Sequence, residues 1–307
     1  TDRLNQEAVD FIEKNSDKPF FLYVSHFAPH FPILAPQETR EKYEAKRDVK
    51  CGATPVLKMC DMSDVYPEYA AMIEHIDRGV AQIREMLIKE KLAENTVIVL
   101  MSDNGGYALA SDPDALRGNK SQLYEGGIRV PMLWFVPGAV SAGKTVGTPV
   151  TLLDIYPTFA AMVGDIRVAP LLDGADLSGV FSSRLFPLLS MDVGSARKYT
   201  DRALFWYLPG YTVDTDADEV DYSVARTGKF SQIPAAVIQR DDWKLIRYYD
   251  GTEPELYHLV SDAMETNNLY RDQPVQAVTL MAELENWLRN TGGLLSLPAN
   301  PAYRGGR

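Results

Sequence analysis

The sequence predicts an α/β fold in which a mixed, mostly parallel sheet is flanked by helices and a smaller C-terminal α+β subdomain contains an antiparallel sheet. Three observations predict it. Continuous aliphatic runs such as 96–101 are typical of strands that helices bury on both faces. Amphipathic helical patterns alternate with these runs. Short aromatic segments separated by turns follow from about residue 195. We therefore predict a larger unit, 1–194, and a smaller one, 195–307.

Each element has its own signal in the chain. Helical spacing of apolar residues predicts the helices, and unbroken or aromatic-rich apolar runs predict the strands. In the larger unit we predict helices at 3–14, 37–43, 66–91 and 151–164 and buried strands at 20–24, 97–101 and 132–136. In the smaller unit we predict strands at 203–207, 235–238, 243–249 and 255–259. A helix from Pro274 to Gly292 follows, carrying Val278, Met281, Leu284, Trp287 and Leu288.

Composition excludes several classes of protein. The 307 residues are 46% hydrophobic and 24% charged, as in ordinary globular chains. A net charge of -11 argues against nucleic acid as a partner, because such binding needs a basic surface. No window approaches the roughly 20 consecutive apolar residues of a membrane span. Cys51 and Cys60 allow either one small-loop disulfide or two thiols, and spacing alone does not decide between them.

The first candidate site follows the run 96–101. Ligands bind beyond the carboxyl ends of strands in open α/β sheets, and Asp103 and Asn104 lie at that point. A carboxylate beside a carboxamide offers two hard oxygen ligands, which suit Ca²⁺ or Mg²⁺ better than zinc. The alternative is a turn in which both side chains only cap the next segment.

Two further candidates lie on loops. His30 stands between Pro29 and Pro32, so its imidazole is held on a stiff segment after the run 20–24, although such a histidine is often only a surface residue. Lys120 is a compact point charge that could hold an oxyanion, or it could simply be solvated. Glu125–Arg129 predicts a turn with an internal Glu to Arg contact. The aromatic run 205–211 fits a sugar pocket or, more simply, the core of the small sheet.

Four different sequence blocks lie in order along nearly the whole chain. They are Pro19–Tyr23 with Ala28–Pro32, then Asn95–Gly106, then Arg117–Lys120 with Tyr124–Pro131, and last Trp243–Ile246 with Glu255–Tyr257 and Asn267–Leu269. Together they resemble the sulfatase family of the alkaline-phosphatase-like superfamily. Each block alone is weak evidence for the family, and the occurrence of all four in order makes the resemblance specific.

The resemblance implies roles for the four candidates. Asp103 and Asn104 match the calcium ligands of the family, His30 its active-site histidine, and Lys120 its sulfate-binding lysine. A metal, a lysine and a protonated histidine would all stabilise the charge that builds on the bridging oxygen of a sulfate ester. The resemblance further implies Ca²⁺ in preference to Mg²⁺, a sulfated small molecule or carbohydrate as substrate, and a periplasmic or secreted location.

One departure from the family pattern limits the prediction. The formylglycine nucleophile of the family derives from the cysteine of Cys-x-Pro-x-Arg, and neither Cys51 nor Cys60 stands in that motif. We therefore expect the C-terminal portion of a sulfatase, inactive by itself, whose site an N-terminal segment completes. Two alternatives stay open: a phosphoester or phosphonate hydrolase of the same superfamily, and a non-catalytic protein that binds a sulfated glycan.

Overall fold

The computed structural model describes residues 1–51, 65–107, 116–138, 143, 145–164, 172–181, 202–210, 212 and 232–296. The helices in these ranges are α1 (Asp2–Lys14), α2 (Gln37–Cys51), α3 (Val65–Lys89), α4 (Glu125–Ile128), α5 (Ile155–Met162), α6 (Ser178–Phe181) and α7 (Pro274–Thr291). The strands are β1 (Ile98–Met101), β2 (Met132–Phe135), β3 (Ala203–Leu208), β4 (Ala235–Arg240), β5 (Trp243–Tyr248) and β6 (Glu255–His258). Mixed α/β architecture is therefore confirmed.

Helices α1, α2 and α3 meet at His75 of α3. The ring nitrogen Nδ1 of His75 lies 2.6 Å from the Asp2 carboxylate of α1, and Nε2 lies 3.0 Å from Thr39 Oγ1 of α2. Asn5 Nδ2 of α1 donates to the His75 carbonyl at 2.9 Å. Helical spacing in α3 alone predicts that His75 and Asp77 form a pair on the helix surface. That prediction is wrong, because His75 is buried against the two neighbouring helices.

The segment before α5 is organised by one buried carboxylate. Asp154 is fully enclosed and accepts from the Thr151 amide and the Ala175 amide, each at 2.8 Å. The Arg202 guanidinium pairs with both of its oxygens. The helix predicted at 151–164 is present as a 3₁₀ turn, Leu152–Asp154, that continues into α5. Asp154 therefore ties this helix start to two later segments.

In the first sheet, strands β1 and β2 pair antiparallel, with Leu100 opposite Leu133. A mixed sheet allows such a pair, and the mostly parallel arrangement predicted for it is not confirmed in the described residues. One face carries Trp134, whose ring lies 5.8 Å from that of Phe159 in α5. The other face carries Leu100, Leu133 and Phe135, which are 38%, 57% and 47% exposed. We call these three side chains the open face.

The strand predicted at 20–24 is not formed. Phe20–Val24 has no strand pairing, and Phe21 and Tyr23 are 71% and 72% exposed. Apolar periodicity identifies a segment suited to a sheet, but a strand also needs a neighbour for its backbone N–H and C=O groups. No strand among the described residues supplies one. The expectation of a buried strand at 20–24 is therefore wrong for the described residues. The runs 97–101 and 132–136 do form strands, but they are buried only in part: Val136 is 8% exposed, whereas Leu133 is 57% exposed.

The C-terminal antiparallel sheet is confirmed. Its order is β3-β4-β5-β6, and every neighbouring pair is antiparallel. Because side chains alternate between the faces of a strand, the sheet has two distinct apolar surfaces. One surface packs on α7, and the other packs on Leu123 and Tyr124 of the loop that carries Lys120. The aromatic run was given two interpretations, and the core interpretation holds for Phe205, which stacks on Trp287 of α7 at 4.7 Å.

Helix α7 matches its predicted bounds but not all of its predicted face. It ends at Gly292, which has the left-handed backbone (φ 77°) common at helix ends. Its buried residues are Ala277, Leu280, Leu284 and Leu288. Val278, assigned to the core from the sequence, is 69% exposed. Several registers of an apolar stripe fit one helix, and packing on the sheet selects among them.

Two other predictions fall partly outside the described residues. The boundary at 194/195 lies in the range 182–201, and the pairing of Cys51 with Cys60 involves side chains that are not described. Among the described helices, none combines the length and apolar character that crossing a membrane requires.

Candidate active site

The loop after β1 presents two oxygen donors. Ser102 Oγ donates to the Asn104 carbonyl at 2.9 Å, and Asn104 Nδ2 donates to the Gly105 carbonyl at 2.9 Å, so the Asn104 amide nitrogen is occupied within the turn. Its Oδ1 and the exposed Asp103 carboxylate accept no hydrogen bond from any described residue. The turn therefore leaves the two atoms that a hard cation would bind available.

A second segment, residues 117–129 with the short helix α4, lies directly against the first, and we call it the Lys120 loop. The Lys120 amide donates to the Gly106 carbonyl at 2.9 Å, and the Gly105 amide donates to the Gly127 carbonyl at 3.0 Å. The contact is so close that a Cβ atom on Gly105 would lie 1.9 Å from the Gly126 carbonyl oxygen. Glycine is required there because any side chain would push the loops apart.

The loops that carry three of the four predicted site residues are thus brought together. The backbone bond from Lys120 ends at Gly106, two residues after Asn104 and three after Asp103. Residue Lys120 is half-buried, and its side chain forms no ion pair with a carboxylate of the described residues. A lysine beside two unpaired oxygen ligands suits a site that binds an anion together with a cation.

The structure does not join His30 to these three residues. His30 is exposed, its amide donates to the Phe27 carbonyl at 2.8 Å, and its Nδ1 lies 2.9 Å from the Phe31 carbonyl. Because a carbonyl oxygen only accepts, Nδ1 carries the proton and Nε2 is left for another partner. Within the described ranges, no hydrogen bond or ion pair links this ring to Asp103, Asn104 or Lys120. Its catalytic role stays a prediction.

His26 differs from His30 in its surroundings. Its Nε2 lies 2.7 Å from Asn5 Oδ1 on α1, and this bond fastens the start of the loop to that helix. Burial lowers the pKa of His26, so the ring is neutral at physiological pH. These contacts indicate a structural residue.

The donor set fits a hard cation only in part. Asp103 and Asn104 supply two oxygens, whereas Ca²⁺ takes roughly six to eight. The described residues contain no group of three or more His, Cys, Asp or Glu side chains placed to hold a metal ion. The chemistry of the two oxygens suits Ca²⁺ or Mg²⁺, and further ligands would have to come from elsewhere.

The residues that hold the Lys120 loop on the C-terminal sheet were not predicted from the sequence. Lys244 of β5 is fully buried, and its Nζ lies 3.0 Å from Glu125 Oε1 and 2.9 Å from Glu265 Oε1. The predicted contact of Glu125 with Arg129 exists at 3.7 Å, but Arg129 is largely exposed and Lys244 is the closer partner. The available signal for this contact was a charged residue, Lys244, within the apolar run 243–246. Because side chains alternate between the faces of a strand, Lys244 lies on the same face as Ile246.

A second buried polar group lies beside this one. Glu255 Oε2 accepts from the hydroxyls of Tyr124, Tyr248 and Tyr257 at 2.9, 3.0 and 3.0 Å. Burial raises the pKa values of Tyr124 and Tyr257, so both phenols stay neutral donors at physiological pH. The Arg117 guanidinium lies 3.8 Å from the centre of the Tyr124 ring. Tyr124 therefore holds the middle of the loop on the C-terminal sheet, and Arg117 packs on Tyr124 within the loop.

The family model named Sulfatase matches residues 1–165, just over half of the chain. The chain belongs to the sulfatase family. A sulfatase of Formosa agariphila is 29% identical over 304 residues, covering 94% of this chain and 49% of that protein. The chain thus spans about half the length of this curated relative.

Solved structures agree with the family in fold. Ps i-CgsB, solved in complex with k-i-k-neocarrahexaose, has a TM-score of 0.68 and 28% identity over 93% of this chain and 54% of its own. The phosphonate monoester hydrolase of Agrobacterium radiobacter has a TM-score of 0.61 and 21% identity, covering 94% of this chain and 60% of its own. At that identity, the second match shows the shared fold alone.

Proposed function

We propose that this chain supplies part of the active site of a sulfuric ester hydrolase. In this proposal Asp103 and Asn104 hold Ca²⁺, Lys120 binds the sulfate oxygens, and His30 acts at the leaving oxygen. The observation that carries the proposal is a pair of backbone hydrogen bonds, from the Lys120 amide to the Gly106 carbonyl and from the Gly105 amide to the Gly127 carbonyl. These two bonds fix the loop with Asp103 and Asn104 beside the loop with Lys120. Membership of the sulfatase family supports it.

The roles follow from the charge that develops during cleavage. When the S–O bond of a sulfate ester breaks, negative charge builds on the bridging oxygen, and fixed positive groups stabilise it. The Lys120 ammonium, on a half-buried residue, can donate to the non-bridging oxygens of the sulfate. His30 Nε2, protonated, can donate a proton to the leaving oxygen because Nδ1 is already engaged with Phe31. A bound Ca²⁺ would supply additional fixed positive charge.

The nucleophile is not in this sequence, and we propose that a preceding segment carries it as formylglycine. We further propose that the same segment covers the open face and pairs with the extended residues 20–24. The support is physical: Phe21 and Tyr23 are 71% and 72% exposed on an unpaired backbone, as expected of a strand without its neighbours. This chain alone then turns over nothing. The periplasmic or secreted location implied by the family resemblance belongs to the same proposal.

The test uses the protein as its native source makes it. We would measure hydrolysis of 4-nitrophenyl sulfate by the wild type, Asp103→Asn and Lys120→Met, with Asp17→Asn and Lys18→Met as matched controls because both side chains are exposed and distant in sequence. We expect each site variant to lose roughly 100-fold or more in kcat/KM, as for a lost charge-stabilising group, and the controls to stay near wild type. Equal activity in the site variants and their controls would refute the assigned roles.

Metal binding has a readout independent of turnover. We expect Ca²⁺ to raise the Tm of the native-source protein and Asp103→Asn to reduce that shift, because a ligand that binds only the folded state stabilises it. A Tm response that is identical in wild type and Asp103→Asn would place any calcium elsewhere.

The sulfated compound is most simply a carbohydrate. Ps i-CgsB, 28% identical to this chain, was solved with k-i-k-neocarrahexaose, and that ligand supports a sulfated oligosaccharide as the substrate class here. A non-catalytic glycan-binding protein is the competing possibility. Glycan binding that survives both Asp103→Ala and chelation, without any turnover, would favour it.

Phosphate or phosphonate ester hydrolysis is the second enzymatic candidate. A phosphonate monoester hydrolase shares the fold, and a lysine binds either anion as a point charge. Comparing 4-nitrophenyl sulfate with 4-nitrophenyl phosphate and a phosphonate ester on the same preparation separates them. A preference for either phosphorus ester by kcat/KM would replace the sulfatase assignment.

A further inference from the structure

Lys244 lies in a dry, oppositely charged environment inside the C-terminal sheet. Its side chain is 0% exposed, and its two carboxylate partners, Glu125 and Glu265, are 4% and 0% exposed. We call these three side chains the buried trio. Two carboxylates face one ammonium, so the trio is closely packed and not neutral when all three groups are ionised. Burial raises the pKa of Glu265, and the Lys244 ammonium opposes that rise.

The buried trio fastens one end of the Lys120 loop. Glu125 is the first residue of α4, and its amide donates to Glu265 Oε2 at 2.6 Å while its carboxylate receives Lys244. Backbone and side chain of one residue are thus both attached to groups outside the loop. The next two residues, Gly126 and Gly127, contact the Arg117 carbonyl and the Gly105 amide.

The other end of the loop is attached to the same C-terminal residues. Arg117 Nη1 donates to the Glu265 carbonyl at 2.7 Å and to the Tyr257 hydroxyl at 3.1 Å. Glu265 has a left-handed backbone (φ 52°), which is uncommon for a residue with a side chain. Lys120 stands between these two attachment points, on a loop whose ends converge on one residue.

A buried ionic group of this kind is poorly explained by stability alone. Apolar residues of equal volume often stabilise a fold as well or better, because charges lose hydration on burial. What the charged contacts add is direction, since each fixes a distance and an angle between two segments. In this chain the segments fixed are β5 and the loop that carries the anion-binding candidate.

We propose that Lys244 is a positioning residue for Lys120: through Glu125 and Glu265 it holds the 117–129 loop so that the Lys120 ammonium stands beside Asp103 and Asn104. The proposal rests on the proposed function, because it takes anion binding as the task of Lys120. Lys244 itself is enclosed and touches no reacting group, so it acts only through the loop.

The experiment uses the native-source protein with two readouts. Amide hydrogen exchange across 117–129 reports whether the loop is held, and kcat/KM for 4-nitrophenyl sulfate reports whether Lys120 is placed. The variants are Lys244→Met, Lys120→Met and the double variant. Arg240→Met is the control, because it breaks the Arg240 to Glu283 pair, at 2.6 and 2.8 Å, on the opposite face of the same sheet.

We expect Lys244→Met to speed exchange in 117–129 by about tenfold or more and to lower kcat/KM by a similar factor. Adding it to Lys120→Met should cause no further loss, because two changes that act through one group are not additive. Arg240→Met should leave exchange in this loop within about twofold of wild type. The conservative Glu125→Gln, which keeps an acceptor for Lys244, should retain activity within about threefold.

Several results would overturn the proposal. Unchanged exchange in 117–129, a fully additive double variant, or an equal effect from Arg240→Met would each show that Lys244 serves stability only. If Lys244→Met does not fold, Lys244→Gln provides the same comparison with a smaller polar side chain. If the wild type hydrolyses no sulfate ester, the proposed function fails, and the exchange data still decide whether Lys244 holds the loop.

Discussion

The two sheets of this chain close their apolar surfaces to different extents. The C-terminal sheet is covered on both faces: Leu245 and Leu284 are 0% exposed on the α7 side, and Val237 is 0% exposed on the other. The β1–β2 sheet is covered on the Trp134 side, while the open face leaves Leu133 57% exposed. Within the described residues, the C-terminal sheet is therefore covered on both faces. The β1–β2 sheet has the apolar composition of a buried sheet, but one of its faces is exposed there.

This difference separates what each part contributes to the site. The C-terminal sheet holds the Lys120 loop through the buried trio, so the loop that carries the anion-binding candidate is fixed from within the chain. The β1 loop presents Asp103 and Asn104 at the end of a strand whose open face is left partly exposed by the described residues. Large apolar patches on otherwise ordinary proteins commonly mark interfaces. We therefore predict that what covers the open face also completes the metal site.

The largest loss of stability is expected at Asp154, the buried carboxylate that pairs with Arg202 in the part of the chain with the open face. Asp154→Ala should lower the free energy of unfolding by about 3 to 5 kcal/mol, because it leaves the Arg202 charge buried without its partner. Urea unfolding measures this, with the exposed neighbour Asp173→Ala as the control. A loss below about 1 kcal/mol would show that the Asp154–Arg202 pair contributes little to stability.

The next prediction tests the contrast between the two apolar surfaces directly. Leu284→Ala should lower the free energy of unfolding by about 3 kcal/mol, because it empties a fully buried position against β4 and β5. Leu133→Ala, on the open face, should cost less than about 0.5 kcal/mol in the 307-residue chain. Similar losses for both would mean that the open face is covered in solution, for example by a second copy.

A smaller, pH-dependent effect is expected where α2 packs on α3. Hydrogen bonds from Lys42, then Tyr43 and Arg78, lower the pKa of Glu74 to about 2. Because this pKa lies below the unfolded value of 4.5, Glu74 contributes stability above about pH 4.5, and that contribution is lost as the pH falls toward 2.

Glu74→Gln should therefore cost about 1 to 2 kcal/mol at pH 7 and much less near pH 2.5, by urea unfolding at both values. Glu85→Gln, exposed on the same helix, is the control and should cost nothing measurable at either pH. A cost for Glu74→Gln that does not shrink on acidification would assign its effect to packing.

The smallest effect is expected at the candidate metal ligand. Asp103 is exposed and accepts no hydrogen bond from the described residues, so Asp103→Asn should change the unfolding free energy of the 307-residue chain by less than about 0.5 kcal/mol. With two oxygen ligands, the same chain should show no Tm response to millimolar Ca²⁺. A clear response, lost in Asp103→Asn, would mean that the chain completes the metal site unaided.

Local patterns predicted the elements that depend on local physics. Helix α1 follows from its apolar stripe, α7 from Pro274 and Gly292, and the C-terminal strands from their aromatic runs. Asp103 and Lys120 were each predicted from one family pattern, and backbone bonds join the loops that carry them, while their roles stay predictions. These parts could be predicted because each signal lies within a few residues.

The failures concern partners that are distant in sequence. Residues 20–24 have the composition of a buried strand, yet whether a neighbour exists is not written in the segment itself. His75 was assigned to the surface because its partners, Asp2 and Thr39, lie 73 and 36 residues away. Lys244 lies in one of the family blocks, but its role could not be predicted, since its contact with Glu125 spans 119 residues.

The most direct measurement compares sulfate ester turnover by two preparations, the 307-residue chain alone and the protein as its native source makes it. We predict hydrolysis of 4-nitrophenyl sulfate by the native-source protein and none by the chain alone, because this sequence carries the proposed cation and anion ligands but no Cys-x-Pro-x-Arg motif. Robust turnover by the 307-residue chain, abolished by His30→Ala, would contradict the view that a separate segment completes the site.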